Sequence, residues 1–169
     1  FFSNFISKYF LSTKNVGKVY FEDMHQEFES INSVINPHNK NLLSIGGGLG
    51  GLELVINKKF SVKSFTFIER NYVSKKVKYG WDNKNNEAYN DTSIQKNFLI
   101  KNGMESSRFT IFDYDNDQLP KDKFDIIISL FSLDYHYDFK IYLDYLKITT
   151  HTHSKIIFDT IRPDYFKNI

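Results

Sequence analysis

The chain has 169 residues, balances 22 Lys and Arg against 20 Asp and Glu for a net charge of +2, and is 17% aromatic. That length suits one domain with a sizeable core, and the charge is too mild to mark a nucleic-acid surface. The absence of cysteine excludes disulfides and thiolate metal sites, and no apolar run approaches the roughly 20 residues that span a bilayer. A cytoplasmic protein with a small-molecule partner is expected, with neither nucleic acid nor membrane.

The opening residues, FFSNFISKYF, are aromatic but broken by Ser, Asn and Lys, unlike a signal peptide. They are expected to form a short helix or an arm. Phe21, Met24, Phe28, Ile31 and Ile35 recur at spacings of three and four, which predicts a helix, and Pro37-His38-Asn39 ends it. Residues 1–40 thus read as an N-terminal helical segment. Strand one is predicted at Leu42–Ile45, helix A at Gly50–Asn57 and strand two at Lys63–Glu69. The polar stretch from Arg70 to Asn90 reads as loop. Asp91 caps a further helix that buries Ile94, Phe98 and Leu99, and Gly103 closes it. Strand three is predicted at Phe109–Tyr114 and strand four at Phe124–Leu130. Phe139, Tyr142, Leu143 and Leu146 mark the next helix, and strand five is Lys155–Thr160. The chain begins without Met and stops soon after that strand, so a fragment of a longer protein is expected.

Strands alternating with helices predict an α/β, Rossmann-like three-layer αβα sandwich with a mostly parallel sheet over residues 41–169, behind N-terminal helices. In such sheets ligands bind at the carboxyl ends of the strands. Four separate segments fall there: the glycines from Gly46 to Gly51, Glu69, Asp115, and 131–137. Glycine is needed where a backbone turns sharply or a ligand comes close. A carboxylate at the tip of strand two is placed to accept both hydroxyls of a ribose. The set predicts a nucleoside cofactor.

Gly46, Gly48 and Gly51 satisfy G-x-G-x-x-G, and Glu69 follows at roughly the expected 20 residues, so an NAD(P)-dependent oxidoreductase is one reading. A non-catalytic nucleoside-binding domain is another. Three observations favour a third. About two helices precede the glycine-bearing strand, strand three runs into DYDNDQLP, and strand four follows at once through KDKFDIIIS. This order, from about Asn41 to Thr160, resembles the class I S-adenosylmethionine-dependent methyltransferases. The resemblance implies S-adenosyl-L-methionine as cofactor, with the glycine loop (Gly46, Gly47, Gly48, Gly50) beside its methionine part and ribose. It implies Glu69, with Arg70 next to it, at the ribose. By register on Leu119-Pro120 it implies Asp115 at the adenine amino group, with Asp113 as fallback, and the backbone amide of Asn116 on the ring. Ser129, at the end of strand four, joins the cofactor site. The family often carries an acid two residues before the first glycine. Here Ser44 stands there; its hydroxyl can hydrogen-bond but cannot balance the cofactor's ammonium charge. The last two strands of the family, usually an antiparallel hairpin, are expected to be missing.

The resemblance also puts the acceptor beside the SLFSLDYHYDF stretch, Ser129–Phe139. His136 can take a proton near neutral pH, and Asp134 can do so itself or orient the histidine. The loop is similar to that of bacterial sugar or small-molecule O-methyltransferases, which implies transfer to a hydroxyl oxygen. Tyr79, Trp81 and Tyr89 either cover the cofactor or pack. His151 and His153 alternate before strand five without a third ligand, so no metal site is expected. Arg162 either holds an anionic acceptor or lies on the surface.

Overall fold

The computed structural model describes residues 12–75, 88–130, 132–134 and 137–167. Helix α1 runs Thr13–Ile31, strand β1 Asn41–Ile45, α2 Gly51–Lys59 and β2 Ser64–Glu69. A short antiparallel ribbon, β3 Tyr72–Val73 with β4 Tyr89–Asn90, precedes α3 Thr92–Lys101. Then come β5 Phe109–Asp113, β6 Ile126–Ser129, α4 Lys140–Thr149, β7 Lys155–Phe158 and α5 Pro163–Phe166. Among these residues no helix is long and apolar enough to cross a membrane.

The main sheet has five parallel strands in the order β5-β2-β1-β6-β7. Parallel strands buried on both faces read as near-continuous apolar runs, and β6, Ile126–Ser129, is buried at every position. One face carries Leu42, Phe65, Phe67, Ile126 and Ile128 against Phe28 and Ile31 of α1, Leu52 and Val55 of α2 and Leu99 of α3. The other carries Leu43, Ile45, Ile68 and Ile127 against Tyr142 and Leu146 of α4. Each such large apolar side chain, fully buried, contributes about 1.5–3 kcal/mol. The α/β Rossmann-like arrangement expected from the alternation of elements is therefore present.

The crossover from β1 through α2 to β2 puts the glycine turn and Glu69 at neighbouring strand ends, because β1 and β2 are paired from Asn41↔Ser64 to Ile45↔Ile68. The α3 helix starts at the expected cap: the Asp91 carboxylate accepts from the amides of Ser93 at 2.9 Å and Ile94 at 3.1 Å. Gly103, at φ +93°, closes it.

Several expectations are corrected. The first helix begins at Thr13, well before the apolar stripe, because its early turns have Val16 and Val19 exposed and show no periodic burial. Ile94 is 56% exposed rather than buried, since α3 turns Gln95 and Leu99 inward and leaves Ile94 a third of a turn away. The stretch read as loop after Arg70 holds the β3–β4 ribbon, two residues on each side and too short to show alternation. Strand five ends at Phe158, two residues early.

Candidate functional site

At the carboxyl ends of β1, β2 and β6 the chain leaves a cleft with two adjoining lobes, of about 210 and 420 Å³. Gly46, Gly48, Tyr89 and Asn90 border both. Small-molecule sites occupy about 300–1,000 Å³, so the lobes together have the right size.

The turn between β1 and α2 needs its glycines for two distinct reasons. Gly46 sits at φ +67°, and a Cβ there would run into the Ser132 hydroxyl. Gly47 has an ordinary φ, but a Cβ would strike the Ser44 hydroxyl and lie 3.1 Å from Glu53 Oε1. At Gly48 no described residue stands within 4 Å of where a Cβ would be, and this backbone borders the cleft. Gly50 instead begins α2, at φ +80°, and packs on Leu99 and Phe67.

The first lobe is walled by Glu69, Arg70, Tyr114, Ser132, Tyr137 and Tyr142, among others. Glu69 is 4% exposed, and its Oε1 has no hydrogen-bond partner among the described residues. Burial pushes its carboxyl up to about 8, the charge of Glu53 adds to the rise, and Asn90 with the Gly48 and Gly47 amides pulls it down. Asn90 is itself fixed, donating to the Gly48 carbonyl at 3.1 Å and to Gln95 Oε1 at 2.9 Å. The Arg70 guanidinium lies between the rings of Tyr114 and Tyr137, 5.2 and 5.1 Å from their centroids. Its Nη2 is 3.3 Å from Asp115.

The second lobe is bordered by Tyr20, Met24 and Glu27 of α1, Ser44 of β1, Gly47 and Glu53. Glu53 is 1% exposed, and its Oε2 has no partner among the described residues. Burial raises its pKa, against hydrogen bonding from Ser44 and from its own amide. Burial followed by the charge of Glu53 pushes Glu27 up to about 7. Burial lifts Tyr20, beside Gly51, to about 12.

The cleft thus unites Gly46, Gly47, Gly48, Glu69 and Arg70. Other residues expected there stand elsewhere. Among the described residues Asp115 is not in the lining of the cleft, and it pairs with Arg70, which is; Tyr114, directly after β5, lines it. Asn116 closes a turn, its amide 3.3 Å from the Asp113 carbonyl and its side chain 2.6 Å from Asp113 Oδ2. That turn faces α3, with Asn71 and Lys96 nearby. The Leu-Pro register missed it because Asp113, through Asn116 and the Asp115 amide, closes the turn, with Asp117 answering the Asp113 amide. Ser129 is internal: its hydroxyl donates to the Ile45 carbonyl at 2.8 Å and accepts from the Leu133 amide at 3.0 Å. Ser132, three residues on, is the one against Gly46.

Asp134 is fully buried at φ +61°, outside the lining of both lobes. It accepts from the Thr160 hydroxyl and from Nε and Nη2 of Arg162. With both oxygens so engaged, it anchors the 132–137 turn rather than facing an acceptor. Arg162 is thereby a structural partner. His136, Tyr135, Tyr79 and Trp81 lie outside the described residues. His151 Nε2 is 3.2 Å from Asp125 Oδ1, and no group of three metal-ligating side chains occurs among the described residues.

Asn90 and Ser132 had no signal in the sequence, since chain folding alone brings them to the turn. Glu53 did have one: a single carboxylate inside the apolar run LELVI.

No protein-family model matches the chain, and no curated protein matches it. Solved structures do. Coclaurine N-methyltransferase, bound to N-methylheliamine and S-adenosylhomocysteine, matches with a TM-score of 0.51 at 13% identity, over 80% of this chain and 34% of that one. A methyltransferase from Geobacter sulfurreducens, in complex with S-adenosylhomocysteine, gives 0.50 at 13% identity, over 80% and 47%. Another from Mesorhizobium loti gives 0.50 at 14%, over 79% and 52%. The chain has the Rossmann-like fold of the class I S-adenosylmethionine-dependent methyltransferases, and it spans from about a third to about half the length of these structures.

Proposed function

We propose that this chain is the cofactor-binding part of an S-adenosyl-L-methionine-dependent methyltransferase whose acceptor is a hydroxyl oxygen of a small molecule. The observation that carries the reading is buried Glu69, which lines the cleft together with Gly48 and whose Oε1 has no partner among the described residues. A buried acceptor without a donor is costly, and a ribose diol supplies the missing donors. Arg70, Tyr114 and Tyr142 offer flat surfaces for the base. The glycine turn also speaks against a dinucleotide. A diphosphate resting on it would meet the Glu53 carboxyl beside Gly47, which offers either like charge or a single proton.

When bound, the cofactor supplies a methyl group already activated on a sulfonium. The chain's own work is then to align the acceptor and exclude water. The 132–137 turn, tied down by Asp134, holds the Tyr137 ring at the cleft. Burial pushes that phenol up to about 12, so it stays protonated and can donate to an acceptor oxygen. His136, next to Tyr137 in the sequence, is the proposed base.

Thermal unfolding tests the cofactor. S-adenosylhomocysteine at 100 times its Kd adds about 2.7 kcal/mol of stability and raises the Tm, whereas NADH leaves it unchanged. The opposite pattern overturns the reading. For the base, His136→Ala is expected to lower turnover more than cofactor affinity; an equal fall in both counts against it.

A further inference from the structure

The second lobe carries acids and no cation. Glu53 and Glu27 both border it, and among the described residues no Lys or Arg does. Asp23 and Asp159 add negative charge near Glu27. Glu53 lines this space from the first turn of α2, almost wholly removed from water. A carboxylate near a helix N-terminus has an ordinary structural use, since the local amides stabilise it. That use occupies one oxygen at most, through its own amide and the neighbouring Ser44. Oε2 is left with no partner among the described residues. Burying a carboxyl group this way is destabilising unless a donor, best a cationic one, completes it.

We propose that Glu53 binds the α-ammonium of the cofactor's amino-acid end, from α2 rather than from β1. It takes the part that Ser44, on the adjacent strand end, cannot play. Ser44 then serves as a positioning residue that holds the other Glu53 oxygen. The glycine at 47 is required because this carboxyl group and the Ser44 hydroxyl fill the space a Cβ would need. The inference rests on the methyltransferase reading, but it assigns a residue which that reading does not.

The test compares two ligands by calorimetry on the full chain: S-adenosylhomocysteine, which has the ammonium, and 5′-methylthioadenosine, which keeps the nucleoside and lacks it. In the native protein S-adenosylhomocysteine is expected to bind more tightly. Glu53→Gln should weaken it by about 10- to 100-fold, the range of a charge-assisted hydrogen bond, and change 5′-methylthioadenosine less than about threefold. The same variant should raise the Tm of the ligand-free protein, because a buried acid is gone. Ser44→Asp added to Glu53→Gln returns a carboxylate to the lobe and should recover most of the lost affinity. An equal loss for both ligands, or no loss for either, overturns the assignment and leaves the cofactor reading standing. Failure of the native protein to bind either ligand overturns both.

Discussion

At the scale of single residues, the cleft is defined by acids whose burial exceeds their satisfaction. Glu69 sits at the end of β2, is nearly inaccessible, and has one oxygen without a donor among the described residues. Glu69→Ala is therefore expected to weaken S-adenosylhomocysteine by about 2–3 kcal/mol, because two ribose hydroxyls would lose their acceptor inside a closed site. Isothermal titration measures this directly, and unchanged affinity would remove Glu69 from the site. The place of Glu69 at the cleft was legible in the sequence from the linked set, because it ends the strand after the glycine turn and the carboxyl ends of such strands share one edge. Asp115 and Asn116 were read from distance to a proline, and a turn built by Asp113 and Asp117 moved them off the cleft. Sequence spacing locates a loop; side-chain hydrogen bonds within the loop decide which residue points inward.

At the scale of elements, strands were the more legible part. Phe65, Phe67 and Ile68 of FTFI and the three isoleucines of DIII are buried, as central parallel strands require, and both runs lie in the sheet where expected. Helix starts without an apolar stripe, and a ribbon two residues long, carry no periodic signal. The turn from Ser132 to Tyr137 shows how a distant element fixes the site. The Asp134 amide donates to the Tyr137 carbonyl at 2.6 Å, and its carboxylate is held by Arg162, which directly precedes α5. Asp134 was read as a base or as the group that orients His136 because of its place in the sequence after strand four, but the partner that claims it lies 28 residues on. Removing that partner leaves a buried, uncompensated carboxylate. Arg162→Met is expected to cost about 2–3 kcal/mol in urea unfolding, below the 3–5 of fully buried pairs because Arg162 is partly exposed. A cost under about 1 kcal/mol would mean that Thr160 alone suffices.

At the scale of the whole molecule, the same acids set how stability depends on pH. Burial, with the charge of Glu53 adding to it, raises Glu69 to about 8 and Glu27 to about 7 in the folded chain, from an ordinary 4.5. Between pH 4.5 and 8 the folded protein therefore holds protons that the unfolded chain has released. Stability falls as pH rises through this window, and the contribution is fully present only below about 4.5. Asp125 has the opposite sign. Burial works to raise it, but the Asn41 amide, Lys40 and His151 outweigh burial and lower it, so its contribution is lost as pH drops below 4. The ligand-free protein should be most stable near pH 5, not near pH 8. With Glu69 almost wholly buried the loss by pH 8.5 is on the order of a few kcal/mol, a fall in Tm of about 5–10 °C for a chain of this size. Glu53→Gln should flatten the decline, because its charge is the second cause of the rise at both other acids. Scanning calorimetry from pH 5 to 8.5 on both proteins checks this. A native Tm that holds or climbs over that range would mean the acids ionise freely in the fold, and that the cleft is wetter than its geometry implies.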